Sequence, residues 1–223
     1  NAFDLVAPPD HENENQATVT LSWQNNGDVG TGIDNFIIYV DDVENTVVTD
    51  NTATSASVTF AEGTYTWYVV AVDYAGNRRQ STSTRTLTVD LTAPTAPNLQ
   101  SPPDGTIDND ATQTLQWSAS TDAGTGVDNY RIYVDGSLVA EVDNTVTSYD
   151  YTFSEGPHSW YVSAVDYAGN ENAASAWNIT IDLTPPSPFD LVAPANYENE
   201  NQATVTLEWQ NNGDALCGID NFI

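Results

Sequence analysis

Lysine is absent from this 223-residue chain, and its basic character rests on four arginines, Arg78, Arg79, Arg85 and Arg131, against 32 acidic residues. The formal net charge is −28 at pH 7, although only 16% of residues are charged, below the ~25% of an ordinary globular protein. Such a one-sided surface repels phosphate backbones and anionic lipid, which argues against nucleic acid and against a bare membrane face as partners, and it attracts cations. The same acid excess also serves to keep an exposed protein soluble or to suit it to a salty medium, so both readings stand.

A lone cysteine, Cys217, excludes an internal disulfide framework. It does not exclude an extracellular location, because domains of ~90 residues can fold without disulfides. No apolar run approaches the ~18 residues needed to span a bilayer, and no basic–apolar signal segment opens the chain, so direct membrane insertion is not expected. The chain begins at Asn1 without a methionine, which is read as a cut or processed N-terminus.

Enzyme signatures are missing as well. There is no His–Ser–Asp or Cys–His arrangement, no glycine-rich phosphate loop and no zinc-type spacing. The abundant carboxylates recur at equivalent places in successive repeats, and an active site in every repeat is not a plausible design, so no catalytic residue is expected.

What the chain does have is repetition. "AVDYAGN" occurs at Ala71–Asn77 and again at Ala164–Asn170, and "GTGIDNF" at Gly30–Phe36 returns as "GTGVDNY" at Gly124–Tyr130 and "LCGIDNF" at Leu216–Phe222. Trp23, Trp117 and Trp209 mark one position at intervals of 94 and 92 residues. The stretch from Phe3 reappears nearly unchanged from Phe189, so the units alternate as type A (1–90), type B (91–182) and a partial type A (183–223). The last unit holds only the first strands of a sandwich and cannot close a core alone. It is either a piece of a longer tandem array or is completed by strands from another chain.

Each unit reads as short alternating strands separated by turn residues, the pattern of an antiparallel β-sandwich, and the fold class is all-β. In "ATVTLSW", Val19, Leu21 and Trp23 point inward. In "DNFIIYVDD" the inward set is Phe36, Ile38 and Val40, with Ile37 and Tyr39 outward. In "TYTWYVVAV" it is Tyr65, Trp67, Val69 and Ala71, with Thr66, Tyr68 and Val70 outward, and Leu87 and Val89 close the sandwich.

A tryptophan ending the second strand, an aromatic in the third, and an acid–glycine turn leading into "YTWYVVAVDYAGN" resemble fibronectin type III-like and bacterial immunoglobulin-like modules. The resemblance covers both full units and the start of the third. It implies sandwiches of about seven strands in the tandem stalks of giant prokaryotic surface proteins and adhesins. It also implies a corner hydrogen bond from Tyr65, which the second unit cannot copy directly because His158 replaces the tyrosine. The other histidine, His11, aligns with Tyr197 and looks replaceable.

The inferred topology gathers acids at the poles. At the first junction Asp41, Asp42, Glu62 and Asp90 are expected to approach Asp122, Asp128, Asp166 and Asn170. At the second, Asp135, Glu155 and Asp182 approach Asp214 and Asp220. Clustered carboxylates repel unless a counter-ion intervenes. Ca²⁺, which takes 6–8 oxygens at roughly 2.3–2.6 Å, is the candidate cofactor, and interdomain Ca²⁺ is also what the resemblance implies. The alternative is ordinary turn chemistry, in which Asp73 bonds local amides and Gly76 and Asn77 supply positive φ. No other cofactor is expected.

The linkers "DLTAPTAP" and "DLTPPSPF" are proline-rich and lack glycine, which favours a defined relation between units. Tyr39 with Tyr68, and Tyr133 with Tyr161, form outward pairs that stabilise the sheet, pack stalks laterally or bind sugar. Asn178 opens the sequon "NIT", and Cys217 is a loop residue or a crosslinking thiol. The expected role is a structural extracellular repeat segment of a stalk, surface filament or surface layer, partnered by copies of itself or by cell-surface components. The alternatives are an adhesin or carbohydrate-binding module, or accessory domains of a secreted enzyme.

Overall fold

The computed structural model describes residues 1–195, 201, 204–214, 216 and 218. Asp220, Cys217 and Tyr197 lie outside the described residues.

Alternation builds the first unit. Strand β3 (Thr18–Trp23) buries Val19, Leu21 and Trp23 and turns its threonines out. It is flanked by β1 (Leu5–Ala7) and β6 (Ser55–Thr59) in a three-stranded antiparallel sheet. The facing sheet runs β2 (Glu12–Glu14), β9 (Arg85–Val89), β7 (Gly63–Asp73), β4 (Ile33–Val40) and β5 (Val43–Val48), with β8 (Arg78–Gln80) also paired to β7. Between them lies a core that includes Phe3, Leu21, Trp23, Phe36, Ile38, Trp67 and Leu87. Each such fully buried side chain contributes about 1.5–3 kcal/mol of transfer free energy.

The nine segments amount to seven strands. β1 and β2 are one edge strand broken at Pro8 and Pro9, which cannot donate to a ladder. After the break the chain changes sheets, and β2 pairs in parallel with β9, Glu12 opposite Leu87. β8 and β9 are likewise the two halves of the closing strand.

The second unit repeats this plan with β10 (Leu99–Ser101), β11 (Thr106–Asp108), β12 (Thr112–Trp117), β13 (Val127–Val134), β14 (Ser137–Asp143), β15 (Ser148–Thr152), β16 (Gly156–Asp166), β17 (Glu171–Ala173) and β18 (Trp177–Ile181). Its core is centred on Trp117, Tyr130, Ile132, Trp160 and Ile179. The third stretch contributes β19 (Leu191–Ala193) and β20 (Glu208–Trp209), paired as Leu191 opposite Trp209. Trp209, the counterpart of fully buried Trp23 and Trp117, is 42% exposed there.

The corner bond forms in both units. Tyr65 donates its hydroxyl to the Ala61 carbonyl at 3.2 Å. His158 brings Nε2 to within 3.0 Å of the equivalent Ser154 carbonyl while Nδ1 faces Asp135 Oδ2 at 2.7 Å.

Candidate functional site

The junction between the two complete units is built from three short segments, each folded on itself before it meets the others. Asp90 follows β9, and its amide donates to the Glu14 carbonyl at 2.9 Å, which holds it at the trailing pole of the first unit. In the loop before β13, Asp122 Oδ2 accepts the amides of Gly124 (3.0 Å) and Gly126 (2.7 Å). In the loop after β16, Asp166 Oδ1 accepts the amides of Ala168 (2.9 Å) and Asn170 (2.8 Å), and the Asn170 side chain donates to Asp166 Oδ2 at 2.8 Å.

Across the junction, Asp90 Oδ2 accepts both the amide (2.6 Å) and the hydroxyl (2.7 Å) of Thr125. Asn170 donates its side-chain amide to the Asp90 carbonyl at 2.9 Å, and Asn172 donates to the Pro94 carbonyl at 2.9 Å. Gly124 lies against the carboxylate so closely that a Cβ on it would stand 2.3 Å from Asp90 Oδ2.

These contacts gather Asp90, Asp122 and Asp166, each offering an oxygen, with all three oxygens within 4.8 Å of one another. Asp90 is 1% exposed and Asp166 2%. Burial pushes the Asp90 carboxyl up, but the Thr125 hydroxyl and amide and the Thr92 amide outweigh it and leave the group below the usual carboxylate range. Among the described residues, none of the ion pairs reaches these three acids. Asp122 Oδ1 is buried without a hydrogen-bond partner. At an effective dielectric of about 20, each pair of charges at this separation repels by a few kcal/mol. The orphaned oxygen and the all-oxygen donor set fit a hard divalent cation, Ca²⁺ above all.

Most of the other described acids singled out in the sequence have local partners. Asp41 and Asp42 form the two-residue turn between β4 and β5 at φ of 50° and 63°, as such hairpins require. Asp41 Oδ1 accepts the Thr66 amide at 2.8 Å. Asp135 occupies the same turn position in the second unit, where it accepts the Ser159 amide at 2.8 Å. Glu62 accepts the Thr92 hydroxyl beside Asp90, and Glu155 accepts that of Thr184. Asp128 accepts from Asn129, and Asp182 and Asp214 accept the amides of Thr184 and Leu216.

The tyrosines stack in pairs. The rings of Tyr39 and Tyr68 lie 5.0 Å apart and 4° from parallel, and those of Tyr133 and Tyr161 lie 4.7 Å apart and 7° from parallel. All four are half-buried, with ring faces turned to each other. Beneath the first pair the outer sheet face carries an apolar cluster of Ile37, Val70 and Val72. In the second unit Arg131 and Ser163 replace Ile37 and Val70, and Arg131, Tyr133 and Ser163 all reach Glu171. Asn178 sits exposed on β18 with its side-chain amide 3.3 Å from Asp104 Oδ1.

Sequence reasoning named Asp90, Asp122, Asp166 and Asn170 but missed Gly124 and Thr125. Their signal was the "GTG" common to the first two units and changed to "LCG" at Leu216 in the third.

No family model matches the chain. It is 34% identical over 165 residues to Chitinase A1 of Niallia circulans, covering 71% of this chain and 23% of that protein. It is 30% identical over 217 residues to Exoglucanase B of Cellulomonas fimi, covering 90% of this chain and 19% of that protein. The chain thus spans under a quarter of the length of these relatives. Among solved structures, the fibronectin(III)-like modules of CbhA from Clostridium thermocellum match with a TM-score of 0.61 at 18% identity, covering 80% of this chain and 93% of that one. The units have the fibronectin type III-like fold that the residue pattern resembled.

Proposed function

We propose that this chain is a non-catalytic spacer of fibronectin type III-like units that works outside the cell as an accessory segment of a polysaccharide-degrading enzyme. The observation that carries this reading is that 71–90% of the chain is matched by stretches within a chitinase and an exoglucanase, two proteins named for catalysis on polymers. That favours the accessory role over a stalk, filament or surface layer. Stacking of the tyrosines covers one face of each ring, which leaves less ring surface for a sugar.

In this reading the units set a fixed separation between the domains they join, and Ca²⁺ held by Asp90, Asp122 and Asp166 stiffens the junction by offsetting their mutual repulsion. The deciding experiment is to read the coding sequence on both sides of the segment. A glycoside-hydrolase domain in the same reading frame is expected, and uninterrupted repeats ending in a cell-wall anchor would overturn the accessory role.

A further inference from the structure

The pole that receives Asp90 in the second unit exists in duplicate on the first. There Asp28 Oδ2 accepts the amides of Gly30 (2.9 Å) and Gly32 (3.1 Å), as Asp122 does from Gly124 and Gly126. Asp73 Oδ1 accepts the amides of Ala75 (2.9 Å) and Asn77 (2.8 Å), and the Asn77 side chain donates to Asp73 Oδ2 at 2.8 Å, reproducing the Asp166–Asn170 loop. The difference is the occupant. In the second unit the seat is filled by Asp90, whereas in the first Thr31 is exposed and a cavity of about 300 Å³ opens beside Asp28 and Asp73.

The third unit differs in sequence at this position. Leu216 stands where Gly124 makes room for the incoming carboxylate, and Cys217 where Thr125 supplies two donors. Asp182, the counterpart of Asp90, is half-buried where Asp90 is buried.

We propose that the leading pole of the first unit, centred on Asp28, Gly30, Thr31 and Asp73, is a docking seat for another sandwich unit, which inserts an aspartate placed like Asp90 and Asp182 at the end of its closing strand. The partner is a unit of this kind preceding Asn1 in the same polypeptide. Gly30 admits its carboxylate and Thr31 binds it. Competence is set by the residue pair at this position, Gly-Thr accepting and Leu-Cys refusing, so junctions in such an array differ in rigidity. The inference is independent of what the spacer accompanies.

The test extends the full chain at Asn1 with a copy of residues 91–186, which restores the spacing seen between Asp182 and the third unit. Amide exchange of Thr31 is followed in excess calcium and in excess chelator, with Leu21 and Trp67 as reporters of the intact fold. In at least one of the two media, the Thr31 amide is expected to gain about tenfold or more in protection over the unextended chain, the equivalent of one charge-assisted hydrogen bond. The gain should vanish when the aspartate of the added copy is changed to alanine, which leaves no acceptor, and when Gly30→Leu imitates the third unit. Equal Thr31 protection with and without the extension in both media, at unchanged protection of Leu21 and Trp67, overturns the proposal.

Discussion

Gly124 and Asp90 approach so closely that no side chain fits between them, since a Cβ on Gly124 would lie 2.3–2.5 Å from the carboxylate atoms of Asp90. Glycine is needed here for proximity between units. Gly124→Ala is therefore expected to push Asp90 off the Thr125 donors and to destabilise the junction by about 1–3 kcal/mol, the usual cost of overpacking. Hydrogen exchange should show the Thr125 amide exposed while Trp67 and Trp160 stay protected. An unchanged Thr125 amide would mean that the two units are not held by this contact.

The sign of an Asp90→Asn effect depends on the cation. Asparagine can still accept the Thr125 amide, but it removes one of three crowded negative charges. With calcium absent, relief of repulsion should leave the variant as stable as the parent or more so. With calcium saturating, loss of a ligand charge should make it less stable. Denaturant melts in both media give the four numbers required, and a change of the same sign and size in both would remove the metal from the account.

Calcium itself should raise the melting temperature of residues 1–223, because a ligand held only by the native junction stabilises by about 2.7 kcal/mol at a hundredfold excess over its dissociation constant. Asp122→Asn should abolish that response, since Asp122 Oδ1 is the buried oxygen left without a partner. Matching the ionic strength with sodium chloride separates site binding from screening of the −28 net charge. A rise produced equally by sodium would count against a specific site.

Much of this was legible in the sequence because repetition and alternation are local signals. Val19, Leu21 and Trp23 follow the two-residue period into the core, and the recurrence of "DYAGN" marks the loop that carries Asp166 to the junction. The less legible parts depend on where a segment ends up after folding. Asp41 and Asp42 look like pole acids in a list, yet their positive φ commits them to a hairpin turn and Asp41 to the Thr66 amide. Ile37 and Val70 alternate outward as the period demands, but they are covered there, because the Tyr39–Tyr68 stack shields a second small apolar cluster on the outer face. The seat for Asp90 depends on a glycine's missing side chain, and no property of Gly124 alone reveals what will press against it.

The two corners make a prediction about acid stability. Asp135 is subject to burial, which raises its pKa, but the His158 ring and the Ser159 amide outweigh this and hold the carboxyl below its ordinary value. A group with a depressed folded pKa adds stability that is present above its unfolded value of ~3.9 and is lost as pH falls through the lower folded value. Its side chain is 51% exposed, so solvent screens the pair and the contribution is small. His158→Tyr should rebuild the corner of the first unit, with the new hydroxyl reaching the Ser154 carbonyl as Tyr65 reaches Ala61. Stability at neutral pH should then change by less than about 1 kcal/mol, the net worth of one hydrogen bond. The carboxyl of Asp135, followed by NMR titration, should move up towards its ordinary value, and stability should vary less between pH 5 and pH 2. His158→Ala, which removes the corner bond and the ion pair together, should instead destabilise the second unit at every pH. If His158→Tyr leaves the Asp135 titration where it was, the histidine is not what holds that carboxylate down.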